Sequence, residues 1–134
     1  MWRALFRGEQ TLFLLGAQFM QIVRHEANAV YSKAVEANGF VFTAGIVPTK
    51  LEADAKAQAV EVLAEIDRLL ALAGTSKTKV VFANLWLADV RHREAVNEAW
   101  SAWMGGKDAP ARATVEAKLV DPCMLVEIGV IAVK

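Results

Sequence analysis

The stretch Thr78–Ala88, TKVVFANLWLA, decides the fold. It is β-branched, aromatic and almost wholly apolar, the pattern of a central strand buried on both faces. Helical patterns stand on either side of it. Upstream, Asp54–Ala73 is rich in Ala, Leu, Glu and Lys, and Val60, Leu63, Ile66 (or Asp67) and Leu70 recur at helical spacing. Gly74 follows, where a helix end wants a residue that tolerates positive φ. Downstream, Asp89 offers a cap, Arg91–Met104 carries Val96, Trp100 and Trp103 or Met104 on one face, and Gly105-Gly106 closes the segment.

Strand patterns lie outside these helices. Gln21–Arg24 and Ser32–Glu36 are short β-prone runs, and the turn dipeptide Asn38-Gly39 leads into Phe40–Thr43, which predicts a hairpin. Pro110 starts a fresh segment, Ala113–Ala117 reads as a short strand, and Asp121-Pro122 as a turn. Met124–Val133 closes the chain as a long strand interrupted by Glu127 and Gly129. Six strands and two helices make an α+β sandwich in which two helices can cover only one face of the sheet. Phe40, Phe42, Val81, Leu85, Leu87, Val126, Ile128 and Val130 nonetheless supply apolar side chains to both faces. The uncovered face predicts a homo-oligomer packed sheet to sheet or edge to edge.

Composition narrows the function classes. With 134 residues, the chain is one domain's worth, and 55% hydrophobic against 22% charged residues excludes disorder. Fifteen Lys and Arg balance 15 Asp and Glu, so the footprint expected of a nucleic-acid binder is missing. One cysteine, Cys123, allows no internal disulfide, and two histidines, His25 and His92, assemble no structural zinc set; a reducing cytoplasm is the expected compartment. Residues 1–19 differ from the rest: Arg3 and Arg7 flank Trp2, Leu5 and Phe6 ahead of the apolar run Leu12–Ala17. That run is too short to span a bilayer and lacks a convincing cleavage site. The expectation is an N-terminal extension, with Met20 as the functional start and 20–134 as the domain.

Few residues carry chemistry. Arg112, after Pro110-Ala111 at the mouth of a strand, presents a rigid fork matched to a carboxylate or phosphate; equally, it could pair with Glu116 or Glu127 as structural glue. Asn97 and Trp100 share a helix face. Tyr31, the single tyrosine, either lids a pocket or packs. His25 and His92 have no acidic orienter at an informative spacing, and Cys123 lacks the cationic surroundings of a reactive thiol. There is no Gly-rich phosphate loop, nucleophile elbow or metal triad.

Taken in order, Asn38-Gly39-Phe40-Val41-Phe42-Thr43-Ala44-Gly45, Val47-Pro48, Ala73-Gly74-Thr75-Ser76, Leu87-Ala88-Asp89, Asn97, Pro110-Ala111-Arg112-Ala113-Thr114-Val115-Glu116 and Val126-Glu127-Ile128 resemble the Rid family. These are the reactive imine/enamine deaminases, also called YjgF or L-PSP proteins. Ala53-Asp54-Ala55, Ile66-Asp67 and Ala99-Trp100-Ser101-Ala102-Trp103 are closest to its YoaB-like branch. The resemblance implies a chorismate-mutase-like α+β fold, a homotrimer with clefts between subunits, and hydrolysis of 2-imino acids to 2-keto acids and ammonia without a cofactor. It implies that Arg112 grips the substrate carboxylate and that Tyr31, Asn97, Gly45 and Thr114 line the cleft. Against the RNA cleavage that some family names imply stand the zero net charge and the lack of a histidine pair, so neither nucleic acid nor membrane is expected as partner.

The sequence departs from the family pattern at three positions. Ala44 stands where serine is common, Thr114 where cysteine or serine is, and Gly129 where a glutamate that orients water is expected. Loss of a positioned base typically costs roughly a hundred- to ten-thousandfold in rate. A carboxylate-binding or regulatory protein without turnover is the alternative those departures leave open.

Overall fold

The computed structural model describes residues 21–134; the expected extension over residues 1–19 lies outside the described residues. Six strands, β1 (Val23–His25), β2 (Ala34–Ala37), β3 (Phe40–Thr43), β4 (Val80–Leu87), β5 (Ala111–Glu116) and β6 (Val126–Val133), form one sheet in the order β1-β2-β3-β6-β4-β5. β4 and β5 are parallel and every other pair is antiparallel. Two helices, α1 (Ala55–Leu72) and α2 (Arg93–Met104), pack on one face. The α+β architecture of a six-stranded mixed sheet and two helices is the one the sequence implies.

Local chemistry sets most element ends. Asn38 and Gly39, at φ +52° and +79°, form the tight β2–β3 hairpin. The Asp54 side chain accepts from Ala57 N at 2.9 Å and caps α1. At the other end Gly74, at φ +79°, lets Gly74 N donate to Ala71 O and Thr75 N to Leu70 O, which satisfies two otherwise orphaned carbonyls. Asp89 accepts from Arg91 N, so a 3-10 turn, Val90–His92, precedes α2 and starts it two residues later than the sequence pattern suggests.

The core lies between the helices and the inner face of the sheet. Val41, Val80, Ala83, Leu85, Leu87, Val126, Ile128 and Val130 meet Val62, Leu63, Ile66, Leu69 and Leu70 of α1 and Val96 and Trp100 of α2. The α1 stripe is rotated from the expected one, because Val60 is 53% exposed while Ala59 and Gln58 are buried. Gln58 is held by its amide. Its Nε2 donates to Ala53 O and Cys123 O, at 3.2 and 3.0 Å, and its Oε1 accepts from Leu125 N at 2.8 Å. That triple link fixes the start of α1 to the β5–β6 connection, and no periodicity of apolar residues could reveal it.

Three further expectations change. β4 is buried on one face only: Val81 is 43% exposed, and Phe40 and Phe42 of β3, across β6 on the sheet's outer face, stand at 38% and 40%. No second layer covers that face among the described residues. β5 begins at Ala111 rather than Ala113, because its parallel ladder with β4 already starts at Phe82↔Ala111, and Arg112 is thereby a strand residue. β6 runs uninterrupted through Glu127 and Gly129, paired to β4 along that whole stretch. None of the helices among the described residues is long and apolar enough to cross a membrane.

Candidate functional site

Strand register places Arg112. It pairs with Ala83, and Thr114 with Leu85, both core residues, so the two side chains point to the helix-bearing face at the sheet edge. There Arg112 Nη2 donates to Asn97 Oδ1 of α2 at 2.7 Å, and the guanidinium lies 5.1 Å from the centre of the Trp100 ring. Trp103 packs against Trp100, with ring centroids 5.3 Å apart. Burial and the nearby charge of Arg93 pull the Arg112 guanidinium below its usual basicity.

Three donors in this cluster are unused. Arg112 Nη1, Thr114 Oγ1 and Trp103 Nε1 are all buried without a hydrogen-bond partner among the described residues. Leaving a buried donor unpaired costs about 1–3 kcal/mol, more when it is charged. No carboxylate pairs with Arg112 among the described residues, so the reading of this arginine as internal glue to Glu116 or Glu127 does not describe the chain.

A second cluster forms around Gly45. The β3–β6 ladder breaks after Phe42↔Ile131 and resumes at Ile46↔Ile128, and Thr43 Oγ1 accepts from Val130 N inside the gap. The backbone at Ala44–Gly45 crosses closely over Gly129: a Cβ at Gly129 would sit 3.4 Å from Ala44 O and 3.7 Å from Gly45 Cα. A Cβ at Gly45 would overlap Glu127 Oε1. Gly129 brings no carboxylate there, but that of Glu127, two residues earlier in β6, stands against Gly45. Glu127 makes no ion pair among the described residues, and burial pushes its carboxyl above the ordinary range. Its sequence signal was a lone charge in an apolar strand, which reads as an interruption until the register is known.

Tyr31 joins Gly45 at a cleft of about 440 Å³, lined also by Lys33, Ile46, Glu65 and Arg68. The tyrosine is half exposed, on a turn that Asn28 Oδ1 holds by accepting from Val30 N and Tyr31 N. Lys33 and Arg68 are matched there by Glu26 and Glu65.

The five residues implied by resemblance therefore fall into two groups. Arg112, Asn97 and Thr114 stand together on the helix-bearing face; Tyr31 and Gly45 stand together at the cleft, with Glu127 against Gly45. Glu127 pairs with Trp86 on the outer face, opposite to Arg112 across the sheet. A single chain does not unite the halves. Of the residues set aside in the sequence, His25 has an acidic partner after all: its Nε2 is 2.5 Å from Glu36 Oε2, brought together by the β1–β2 pairing, with Lys134 on the other carboxylate oxygen. Cys123 is exposed in its turn, and no group of three metal-ligating side chains forms among the described residues.

The model of the endoribonuclease L-PSP family matches residues 21–134. The RutC family protein YoaB of Escherichia coli K12 is 41% identical over 113 residues, which is 84% of this chain and 98% of that protein. Among solved structures, NMB1025 of Neisseria meningitidis, a member of the YjgF family, superposes with a TM-score of 0.83 at 41% identity, covering 87% of this chain and 97% of that one. YyfA of Yersinia pestis, from the Rid protein family, gives 0.75 at 33% identity over 81% and 90% of the two chains. The chain belongs to the endoribonuclease L-PSP family, the YjgF/RutC group.

Proposed function

We propose that this family member is a cofactor-independent hydrolase of 2-imino acids, releasing 2-keto acids and ammonia in the cytoplasm. The observation that carries the reading is the pair of unused donors, Arg112 Nη1 and Thr114 Oγ1, on a guanidinium that no carboxylate neutralises. A substrate carboxylate supplies what both lack, and Asn97 and Trp100 keep the arginine fork in one orientation. Glu127, its carboxyl raised by burial, takes a proton from water more readily than an ordinary carboxylate and suits a general base.

The site is completed by a second copy. Because Arg112 and Glu127 lie on opposite faces, the reading requires a second copy, in the homotrimer that the family resemblance implies, so that the Arg112 half of one subunit meets the Tyr31–Gly45–Glu127 half of the next. The outer face carrying Phe40, Phe42 and Val81 is the apolar surface such an assembly would bury.

The chemistry asks little of the protein. A water activated by Glu127 attacks C2 of the imine; the C–O bond forms as the C=N π pair moves onto nitrogen, which takes up a proton. Collapse of the carbinolamine breaks the C–N bond as the hydroxyl proton passes through Glu127 to the nitrogen, so that ammonia leaves and the ketone forms. No oxidant or reductant enters. Clamping the acid group and placing one water supply most of the rate enhancement.

An amino acid oxidase that generates 2-iminobutanoate in situ tests the reading, with keto acid release followed in the presence and absence of the protein. Wild type should outrun buffer, and Arg112→Ala and Arg112→Lys should not. Carboxylate binding without turnover would select the alternative of a binding module.

A further inference from the structure

A second arginine shares the helix face that bears the clamp's partner Asn97. Arg93 is the first residue of α2, one turn before Asn97, whose Oδ1 accepts from Arg112. Arg93 has no ion-pair partner among the described residues, and neither has Arg112. Its neighbour Arg91, by contrast, is matched by Asp89 through three guanidinium contacts. Arg93 is unfavourably placed twice over. A cation at a helix N-terminus opposes the helix dipole, and its charge is the one that acts on Arg112, disfavouring the charged form of the clamp itself. An anion that meets both guanidiniums removes both penalties.

We propose that Arg93 is a specificity residue that binds a second acidic group of the ligand, so that the preferred substrates are 2-imino dicarboxylic acids rather than monocarboxylic ones. The C1 carboxylate occupies Arg112 and Thr114, and the distal carboxylate reaches Arg93 at the solvent-facing rim of the same cluster. This rests on the reading of Arg112 as a carboxylate clamp, but not on turnover.

Titration calorimetry at low ionic strength, with 2-ketobutanoate and 2-ketoglutarate as stable probes, separates the two. The dicarboxylate should bind about tenfold more tightly, the size of one added charge-assisted contact at a partly exposed site. Arg93→Ala should bring the ratio close to one, and Arg93→Lys should restore part of it. Arg91→Ala, which removes the same charge two residues away, should leave the ratio as it is. Equal affinities in wild type, or a preference that survives Arg93→Ala, overturns the inference. Imine turnover tells the two readings apart. Accelerated hydrolysis of 2-iminobutanoate with no dicarboxylate preference sinks the specificity and keeps the hydrolase. An Arg93-dependent preference with no hydrolysis does the reverse, and failure of both acids to bind removes both.

Discussion

Gln58 and Arg112 are two polar side chains set into the helix–sheet packing, and they differ in what they leave undone. Gln58 is fully buried and both ends of its amide are bonded, to Ala53, Cys123 and Leu125. Arg112 bonds Asn97 with one nitrogen, and leaves the other unpaired beside an unpaired Thr114 hydroxyl. A satisfied buried amide holds the fold together. An unsatisfied buried cation costs stability, and the chain carries that cost where a ligand can relieve it.

Substitutions should separate these roles. Arg112→Ala has the largest expected effect, a loss of about a thousandfold in kcat/KM, or ~4 kcal/mol of transition-state stabilisation, read in the coupled oxidase assay. Its thermal midpoint should not fall, because the residue removed satisfies only Asn97. A comparable loss of stability would place Arg112 with Gln58 and erase the contrast.

Glu127→Gln comes next, with a rate loss of about a hundredfold. The sign of its pH dependence follows from the raised carboxyl: the base works only when deprotonated, so wild-type activity should fall as pH drops through a value above the ordinary carboxylate range. That acid limb should vanish in Glu127→Gln. An unchanged limb would assign it elsewhere.

Gln58→Ala should do the opposite of Arg112→Ala, lowering stability by about 2–3 kcal/mol in urea denaturation through the unpaired groups left at Cys123 and Leu125. Activity per folded molecule should be retained. The smallest effect sharpens the comparison most. Thr114→Val replaces an unpaired hydroxyl by a methyl of similar shape, so stability should rise by up to ~1 kcal/mol while carboxylate affinity falls severalfold. A loss of stability there would mean that the hydroxyl already has a partner.

What could be read from sequence follows the range of the interactions. Asn38-Gly39, Asp54, Gly74 and Gly105 act within a few residues, and the hairpin, the cap and the two helix ends appear where those residues put them. The core-facing residues of β6 were legible for the same reason, since alternation is local. Val60 misled because the buried face of the helix includes Gln58, whose amide bonds Cys123 and Leu125 more than 60 residues away. Register hid the rest. Whether Arg112 meets Asn97 or Glu127 depends on its pairing with Ala83, and whether Glu127 meets Gly45 depends on how the Ala44–Gly45 backbone crosses β6; neither is written in the spacing of β5 or β6.

If Arg112 and Thr114 await an acid group, calorimetry with 2-ketobutanoate and its uncharged amide will distinguish the two ligands. The acid should bind wild type, the amide should not, and Arg112→Ala should bind neither. Equal binding of acid and amide, or acid binding that survives Arg112→Ala, would contradict that role for Arg112 and Thr114.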